Sequence, residues 1–297
     1  MSNLLSDTKY GELVRARLKH PDSFRKALVD RKRRKLIGKN GRLLIVAADH
    51  TARGIISAGE EKYVIANRRL LLERLLLSLS NPDVDGVLAS ADIIEELAWL
   101  GALESKLVFG TMNRGGYLGT MWGLDDPMTA YDADSIAELG LDAGKVLVRF
   151  EDTDPGVGRT IEYVAEAMRL LAERKIVCLV EPLPYKKDEN GMPTLDRSTD
   201  RLDKIVSITT GFGSTASYTW LKLPAWTHPT TLSQSTTLPI MLLGGDPGKN
   251  LDATFDEWQS RLQISNVIGL VAGRPLLFPF DDDVDKSINR AVKLVHG

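Results

Sequence analysis

The sequence holds a single cysteine, Cys178, among its 297 residues. One cysteine can form neither an intramolecular disulfide nor a cysteine metal cluster, so we expect a reducing, cytoplasmic environment. The first residues lack the basic start and the long apolar core of a signal peptide. Glu73 and Arg74 interrupt the leucine-rich stretch 70–79, so it is too polar for a membrane span. We therefore expect no membrane association.

Charge is nearly balanced over the whole chain, with a formal net charge of −2. This balance argues against a protein devoted to nucleic acid. The basic residues are concentrated at the start, and the densest run is 31–35. No aromatic residues that could stack on bases interleave with that run. The pattern favours the solvated face of a helix near the lower end of the fold; a phosphate or RNA contact and a contact between subunits are the alternatives.

Short apolar runs rich in Val, Ile and Leu recur after residue 41 and alternate with helical patterns. The eight predicted strands are Leu43–Ala48, Gly86–Ala89, 106–110, 146–150, 176–180, 218–223, Ile240–Leu243 and 267–271. Continuous apolar strands of this kind indicate a parallel sheet covered by helices, and eight such units close into a barrel. We predict an α/β fold, a single (β/α)8 TIM barrel over residues 42–297. Residues 1–41 form an N-terminal helical extension that could serve a homo-oligomer interface.

One connection in this pattern is long. Residues 182–202 carry Pro, Gly, Asn and many charged side chains. Such a composition predicts a mobile loop above the fifth strand. The loop could act as a lid over a site at that end of the barrel, or it could simply be solvated.

Lys222 interrupts the sixth predicted strand, within Tyr-Thr-Trp-Leu-Lys-Leu-Pro of 218–224. A lysine in an apolar strand loses hydration, which destabilises its charged form. The pKa of a desolvated lysine is lowered, so more of it is the neutral amine that can attack a carbonyl. We predict a Schiff-base nucleophile; the structural alternative is a lysine that extends to solvent from the end of a strand.

Polar residues also end the other strands, at the face of a TIM barrel that carries active sites. Side chains two residues apart on a strand share a face. This alternation places Asp49, Glu181 and Lys222 in one pocket if their faces point inward, and Lys145 can join them from the fourth strand. A second cation would lower the pKa of Lys222 from its usual value of about 10.4. The carboxylates could then move protons during formation and dehydration of a carbinolamine.

A second group of residues has the chemistry of an anion site. Gly244 and Gly245 follow the seventh strand, and Gly273 and Arg274 follow the eighth, where barrels frequently bind phosphate. Glycines let backbone N–H groups approach an anion, and an arginine can hold it with two hydrogen bonds. The four histidines are scattered and suggest no metal site, so neither a metal nor a cofactor is expected.

These motifs resemble those of the class I (Schiff-base) aldolases, a superfamily that includes fructose-bisphosphate, tagatose-bisphosphate and deoxyribose-phosphate aldolases. Ile-Val-Ala-Ala-Asp49 is similar to the family's first strand, Gly-Lys145-Val-Leu-Val to its fourth, Val-Cys-Leu-Val-Glu181-Pro to its fifth and Trp-Leu-Lys222-Leu-Pro to its sixth. Leu-Leu-Gly-Gly and Val-Ala-Gly-Arg274 resemble its two phosphate-binding turns. The resemblance covers roughly residues 42–280, with every motif in the family's order.

The resemblance implies a metal-independent aldolase in which Lys222 forms a Schiff base with the substrate. Glu181, assisted by Lys145, would protonate and dehydrate the carbinolamine, and Asp49 would take a substrate proton or orient Lys222. The implied substrate is a phosphorylated ketose or keto acid. Tagatose- and fructose-type phosphates and 6-phospho-5-dehydro-2-deoxygluconate are the candidates.

The chain departs from the family pattern at three places. His50 follows the aspartate of strand one, Asp246 and Pro247 stand in place of a serine-containing turn, and Arg114 stands where the family has no matching lysine. Arg114 or Arg149 could accept a substrate carboxylate, and His50 could contact the substrate. Two other functions stay open: a Schiff-base acyl or ketol transferase, and a non-catalytic barrel that binds a phosphorylated metabolite.

Overall fold

The computed structural model describes residues 4–38, 40–113, 124–247 and 250–297. Within these ranges the strands are β1 Leu43–Ala48, β2 Gly86–Ala89, β3 Leu107–Thr111, β4 Ala143–Phe150, β5 Val177–Lys187, β6 Pro193–Leu195, β7 Thr219–Pro224, β8 Ile240–Leu243 and β9 Val267–Ala272. The helices are α1 Asp7–Lys19, α2 Asp22–Asp30, α3 Arg68–Ser80, α4 Ala91–Trp99, α5 Ala133–Glu138, α6 Gly156–Glu173, α7 Thr199–Thr210, α8 Pro229–Gln234, α9 Leu251–Arg261, α10 Arg274–Leu277 and α11 Val284–His296. Two 3₁₀ turns lie at Thr51–Arg53 and Val64–Ala66.

The predicted TIM barrel is confirmed. The sheet runs in the order β4-β3-β2-β1-β9-β8-β7-β5-β6, and a further pairing of β4 with β5 closes it. The eight barrel strands pair in parallel, whereas β6 pairs with β5 in the antiparallel direction and stands outside the barrel. The carboxyl ends of all eight barrel strands therefore meet at one face.

The barrel strands are apolar on both faces because one face packs inside the barrel and the other packs against the surrounding helices. On β1, Leu43 and Ile45 belong to the cluster inside the barrel, whereas Leu44 and Val46 belong to the cluster between barrel and helices. The same alternation continues to the end of each strand. It decides which of the polar residues at the strand ends point into the barrel.

The helices form an outer layer whose apolar sides face the strands. α6, for example, buries Val164, Ala167, Met168 and Leu171 along one side, at the spacing expected of an amphipathic helix. None of the helices in the described ranges combines the length and the apolarity that a membrane crossing requires.

The N-terminal extension shares the hydrophobic core of the barrel. Leu5, Leu13 and Phe24 are buried in the same cluster as the outer face of the strands. The ring of Phe24 stacks on Trp99 of α4, with centroids 5.9 Å apart. The extension is thus packed against the barrel, and the proposed division at residue 41 stays a prediction.

Residues 31–35 are not part of a helix, although Lys32, Arg33 and Lys35 are exposed as predicted. α2 ends at Asp30, and the run that follows lies against the N-terminal end of the barrel. Arg31 is only 5% exposed, and its guanidinium donates to the carbonyls of Leu139 (3.1 Å) and Gly140 (2.6 Å) just before β4. Arg34 Nη1 lies 2.6 Å from Asp85 Oδ1 just before β2. These arginines thus supply donors to carbonyls and to a carboxylate at that end of the barrel.

The prediction of a loop over 182–202 is wrong for most of that range, which forms regular structure. β5 continues to Lys187, β6 returns beside it, and α7 begins at Thr199. The turn between the two strands forms because Asp188 Oδ1 accepts the N–H groups of Asn190 and Met192, both at 2.9 Å, and because Gly191 takes a left-handed φ of 75°. We call β5 from residue 182 to the end of β6 the hairpin.

Candidate active site

Four ionisable side chains form one contiguous group inside the barrel. Lys145 Nζ lies 3.1 Å from Asp49 Oδ2 and 2.6 Å from Glu181 Oε2. Lys222 Nζ lies 3.1 Å from the other oxygen, Glu181 Oε1. Lys145 is fully buried, and Lys222, the most accessible of the four, is 6% exposed. The structure thus brings together all four residues that the sequence predicts as catalytic.

The strands position these side chains because every second residue of a barrel strand points into the barrel. Trp220 lies in the inner cluster, and Lys222 follows two residues later on β7. Glu181 follows the inward Leu179 on β5 in the same way. The β4–β5 register pairs Lys145 with Leu179, which lies one layer deeper than Glu181. Lys145 is therefore placed beneath the carboxylate that it contacts.

The environment of Lys222 favours its neutral amine. Burial is the largest influence and lowers the pKa of Lys222 below the ordinary 10.5. Glu181 partly offsets this effect, and the positive charge of Lys145 lowers the pKa further. A neutral amine next to a carboxylate has both the lone pair needed to attack a carbonyl and a nearby acceptor for the proton that it must lose.

The other three members keep their charges. Burial alone would raise the pKa of Glu181, but Lys145 and Lys222 outweigh it and lower that pKa to about 2. The same two lysines hold the pKa of Asp49 below its ordinary range despite burial. Burial would lower the pKa of Lys145, yet Asp49 and Glu181 outweigh it and raise that pKa. Two carboxylates and a permanent ammonium therefore surround the reactive amine.

A cavity of about 280 Å³ opens onto this group from the C-terminal face. Asp49, Glu181 and Lys222 line it, whereas Lys145 lies below its floor. His50 also lines the cavity, and burial lowers its pKa to about 3, so it is a neutral imidazole at physiological pH. Within the described ranges, no group of three or more His, Cys, Asp or Glu side chains could hold a metal ion.

The hairpin forms part of the cavity wall. Leu183, Tyr185 and Leu195 of the hairpin line the cavity, together with Arg197, which lies two residues after β6. The continuation of β5 past Glu181 places the first two of these directly above the carboxylate. The segment predicted as a possible lid therefore contributes a wall of regular structure.

The predicted anion turns lie at the same cavity. Gly244, Gly245, Gly273 and Arg274 all line it. A side chain at Gly273 would place its Cβ 2.3 Å from the carbonyl oxygen of Ala47, so only glycine fits where β9 passes β1. Arg274 Nη1 lies 2.6 Å from Asp246 Oδ1. A phosphate that binds there would therefore have to share Arg274 with the carboxylate of Asp246, or displace that carboxylate.

One predicted substrate-binding residue, Arg149, is not placed at the cavity. Arg149 is buried and does not line it; its Nε donates to Asp126 Oδ2 at 2.9 Å, and the same carboxylate also binds its Nη2. Because that pair occupies the Nε/Nη2 edge of a guanidinium that does not reach the cavity, the geometry gives no support to Arg149 as a ligand for a substrate carboxylate. Arg114 lies outside the described residues.

Two arginines that the sequence analysis did not select line the cavity. Arg53 ends the 3₁₀ turn after β1, four residues beyond Asp49, and Arg197 follows β6. Arg53 could have been selected from the sequence, because it lies close to the end of the first strand. Arg197 could not be selected because its segment was interpreted as an irregular loop.

Comparison with known proteins places the chain in a family. The model of the Cgl0159-like family matches residues 41–292. The chain belongs to the Cgl0159-like family. The crystal structure of Cgl0159 from Corynebacterium glutamicum is 41% identical to this Cgl0159-like chain, covers 98% of both chains and superposes with a TM-score of 0.94.

More distant solved structures, named as fructose-bisphosphate aldolases, share the fold of this Cgl0159-like protein. An archaeal fructose 1,6-bisphosphate aldolase is 15% identical, covers 92% of this chain and 98% of its own, and has a TM-score of 0.65. Fructose-bisphosphate aldolase from Slackia heliotrinireducens is 13% identical, covers 99% and 86%, and has a TM-score of 0.62. At such identities the shared property is the fold. Among curated proteins, none matches this chain.

Proposed function

We propose that this Cgl0159-like protein is a class I aldolase that breaks or forms a C–C bond in a phosphorylated ketose or keto acid. The observation that carries the proposal is the contact between the buried amine of Lys222 and Glu181 at 3.1 Å, with the ammonium of Lys145 on the far side of the same carboxylate. The shared fold with Schiff-base aldolases supports it. We place the enzyme in the cytoplasm and infer no nucleic-acid partner.

The first stage joins substrate to enzyme. The neutral amine of Lys222 attacks the substrate carbonyl carbon, and the proton on the new ammonium passes to the carboxylate of Glu181. Glu181 then returns that proton to the alkoxide oxygen, which gives the carbinolamine hydroxyl. A second proton, taken up from solvent by Glu181 and passed on, lets that hydroxyl leave as water and yields an iminium. Lys145 stabilises the carboxylate before and after each transfer because its ammonium lies 2.6 Å from Oε2. Positioned acid–base catalysis of this kind contributes about 10²- to 10⁴-fold.

The second stage breaks the C–C bond. A base removes the proton from the hydroxyl on the carbon that will become the aldehyde, and the electron pair of the broken bond moves into the iminium to give an enamine. Asp49 lines the cavity as a carboxylate, and we assign that proton to it. Protonation of the enamine and hydrolysis by water then release the ketone fragment and restore Lys222.

The phosphate of the substrate would lie on the turns after β8 and β9, where Gly244, Gly245 and Gly273 line the cavity without side chains that would keep an anion away from the backbone, and where Arg274 supplies charge. Tagatose- and fructose-type phosphates and 6-phospho-5-dehydro-2-deoxygluconate all carry a group for that site. An interface between copies of the chain through residues 1–41 belongs to the same proposal.

A panel of phosphorylated ketoses and keto acids tests the function. Each candidate is incubated with the enzyme, and release of dihydroxyacetone phosphate or glyceraldehyde 3-phosphate is followed by a coupled assay. We expect release from at least one candidate, with no loss of rate in a chelator. Release only after an acceptor aldehyde is added would instead indicate a transferase. Stabilisation by the ligands without any product would indicate a binding protein.

Glu181→Gln is expected to lower kcat by about 10²- to 10⁴-fold, because the amide cannot carry the proton between amine and hydroxyl. The loss should not come from the nucleophile, since Glu181 raises the pKa of Lys222 and its removal favours the neutral amine. The matched control is Glu151→Gln, which alters a carboxylate 3.7 Å from Lys187 outside the cavity. Equal rates for Glu181→Gln and the control would remove Glu181 from the mechanism.

A further inference from the structure

A buried ion pair beside the active site has no task in the proposed mechanism. Asp126 is fully buried, and Arg149, which the sequence analysis selected as a substrate ligand, donates to both of its carboxylate oxygens. Burying two charges costs free energy that their mutual attraction often only balances. Stability alone therefore does not explain why this pair lies next to the cavity.

The register of β4 and β5 shows what Arg149 packs against. Arg149 pairs with Leu183, two residues before Tyr185 on the neighbouring strand. Residues two apart share a face, so Arg149 and Tyr185 are diagonal neighbours on the inner side of the barrel. The guanidinium carbon of Arg149 lies 5.6 Å from the centroid of the Tyr185 ring, within the distance of a cation–π contact. Because Asp126 fixes the guanidinium with two hydrogen bonds, Arg149 in turn fixes the ring.

Asp126 itself is held on two sides. Its N–H donates to Thr160 Oγ1 of α6 at 2.8 Å, and its carbonyl accepts from Asn113 Nδ2 at 3.2 Å. The same Asn113 side chain accepts the N–H of Leu147 of β4 at 2.6 Å. Asp126 is thus tied to α6 and, through Asn113, to β4. The position of the Tyr185 ring is therefore set by the framework of the barrel.

Tyr185 presents a polar group at the wall of the cavity. Its ring packs with Leu124, Leu147 and Leu183 in one apolar cluster, and the residue is 8% exposed. It lines the cavity that contains Lys222. None of the residues that the structure describes makes a hydrogen bond to its hydroxyl. A fixed phenol with an available hydroxyl therefore faces the space that a substrate would occupy.

The strands also give the height of Tyr185 above the nucleophile. The register of β5 and β7 pairs Leu179 with Trp220, so Glu181 and Lys222 lie at the same level. Tyr185 follows four residues later on β5, which is about 13 Å nearer the mouth of the cavity along the strand. β5 adjoins β7 on the side away from β8. With the phosphate on the turns after β8 and β9, the half of the substrate that becomes the aldehyde extends from Lys222 towards Tyr185.

We propose that the hydroxyl of Tyr185 binds a hydroxyl group on the aldehyde half of the substrate, and that the pair of Asp126 and Arg149 positions it. A phenol suits this partner because its O–H both donates and accepts a hydrogen bond. Arg149 is then a positioning residue and not the ligand that the sequence analysis predicts. The inference rests on the proposed aldolase function and on the phosphate position given with it.

The test compares two acceptor aldehydes of equal length in condensation with dihydroxyacetone phosphate. Glyceraldehyde carries hydroxyl groups where propanal carries hydrogens, and kcat/KM is measured for each. The two aldehydes differ in intrinsic reactivity, so the readout is the change in their ratio between wild type and variant. Tyr185→Phe removes the hydroxyl and keeps the ring beside Arg149. We expect it to lower the ratio of glyceraldehyde to propanal by about 3- to 10-fold, the range for one hydrogen bond between uncharged groups.

Arg149→Lys tests the positioning role. It keeps a positive charge beside Asp126 but loses the planar group against the ring, and it should lower the same ratio. Combined with Tyr185→Phe it should lower the ratio no further, because Arg149 acts through the hydroxyl that it positions. Thermal unfolding is measured alongside, since a merely structural role would reduce stability and leave the ratio unchanged. A ratio in Arg149→Lys equal to that of wild type would refute the positioning role.

Tyr131→Phe is the control for the loss of a tyrosine hydroxyl. Tyr131 is also buried, at 6% exposure, but it does not line the cavity, so its substitution should keep the ratio. A ratio that Tyr185→Phe leaves unchanged, or that Tyr131→Phe lowers equally, would overturn the assignment. An adduct trapped by borohydride with dihydroxyacetone phosphate, together with an unchanged ratio, would leave the aldolase intact and remove only the Tyr185 contact. The absence of both an adduct and condensation would remove both proposals.

Discussion

Lys222→Met is expected to lower kcat by about 10⁴-fold or more, the scale seen when a covalent nucleophile is removed. Methionine has a similar length and volume but no lone pair that can attack a carbonyl. The iminium that accepts electrons from the breaking C–C bond then cannot form. The measurement is steady-state turnover of the substrate found with the panel, together with borohydride trapping.

The same variant should fold at least as stably as wild type. Glu181 keeps its contact with Lys145 at 2.6 Å, and an amine that is costly to bury is replaced by an apolar side chain. Thermal unfolding checks this expectation and separates a catalytic loss from a folding loss. Lys187→Met, on the exposed hairpin, is the matched control and should retain turnover. Turnover by Lys222→Met comparable with that of the control would contradict a Schiff base at this position.

Lys145→Met is expected to move the pH profile of kcat/KM to higher pH. The charge of Lys145 lowers the pKa of Lys222, so its removal raises that pKa and reduces the fraction of neutral amine at neutral pH. Below the pKa, each unit of increase reduces that fraction by about tenfold. The limb of the profile on which activity rises with pH should therefore shift to the alkaline side, with a loss of about 10²-fold at neutral pH.

Acid stability should change in the same variant. The folded pKa of Glu181, about 2, lies below its ordinary value of 4.5, so its charge contributes stability that is present above pH 4.5 and is lost as the pH falls towards 2. Without Lys145, the pKa of Glu181 rises and much of that contribution disappears. Removing one partner from a buried ion pair typically costs about 3–5 kcal/mol. Denaturant unfolding at several pH values measures both effects.

Lys106→Met is the control that separates an effect on the pKa of Lys222 from an effect on the stability of the fold. Lys106 is also buried, but its ammonium donates to the carbonyls of Asn81 (2.8 Å) and Val84 (2.6 Å) near the N-terminal ends of the strands. Its loss should destabilise the fold and leave the pH profile in place. A profile that Lys145→Met and Lys106→Met leave equally unchanged would show that Lys145 does not tune the nucleophile.

The barrel and the core of the site could be predicted from the sequence because both depend on strand periodicity. Apolar strands that alternate with helices define the parallel barrel, and side chains two residues apart share a face. By that rule, Asp49 shares the inner face with Ala47, Glu181 shares it with Leu179, and Lys222 shares it with Trp220. A lysine within an apolar strand also loses hydration at a cost in free energy, so its presence there indicates a functional role.

The remaining parts of the site depend on contacts between distant segments, which the periodicity of the sequence does not indicate. Arg149 pairs with Asp126, which lies in the connection between β3 and α5, so its availability could not be judged from β4 alone. Arg53 reaches the cavity from a 3₁₀ turn through a long side chain. The hairpin was missed because its turn is fixed by hydrogen bonds to Asp188 and by one left-handed glycine, whereas the composition of 182–202 is that of an irregular loop.

Borohydride trapping of the wild-type enzyme is the most direct test of the Schiff base. The enzyme is incubated with dihydroxyacetone phosphate or with the substrate found in the panel, reduced with borohydride, digested and mapped by mass spectrometry. We predict one reduced adduct per chain, on Lys222, and none in Lys222→Met. An adduct on Lys145 or on a surface lysine, or turnover without any adduct, would contradict the mechanism.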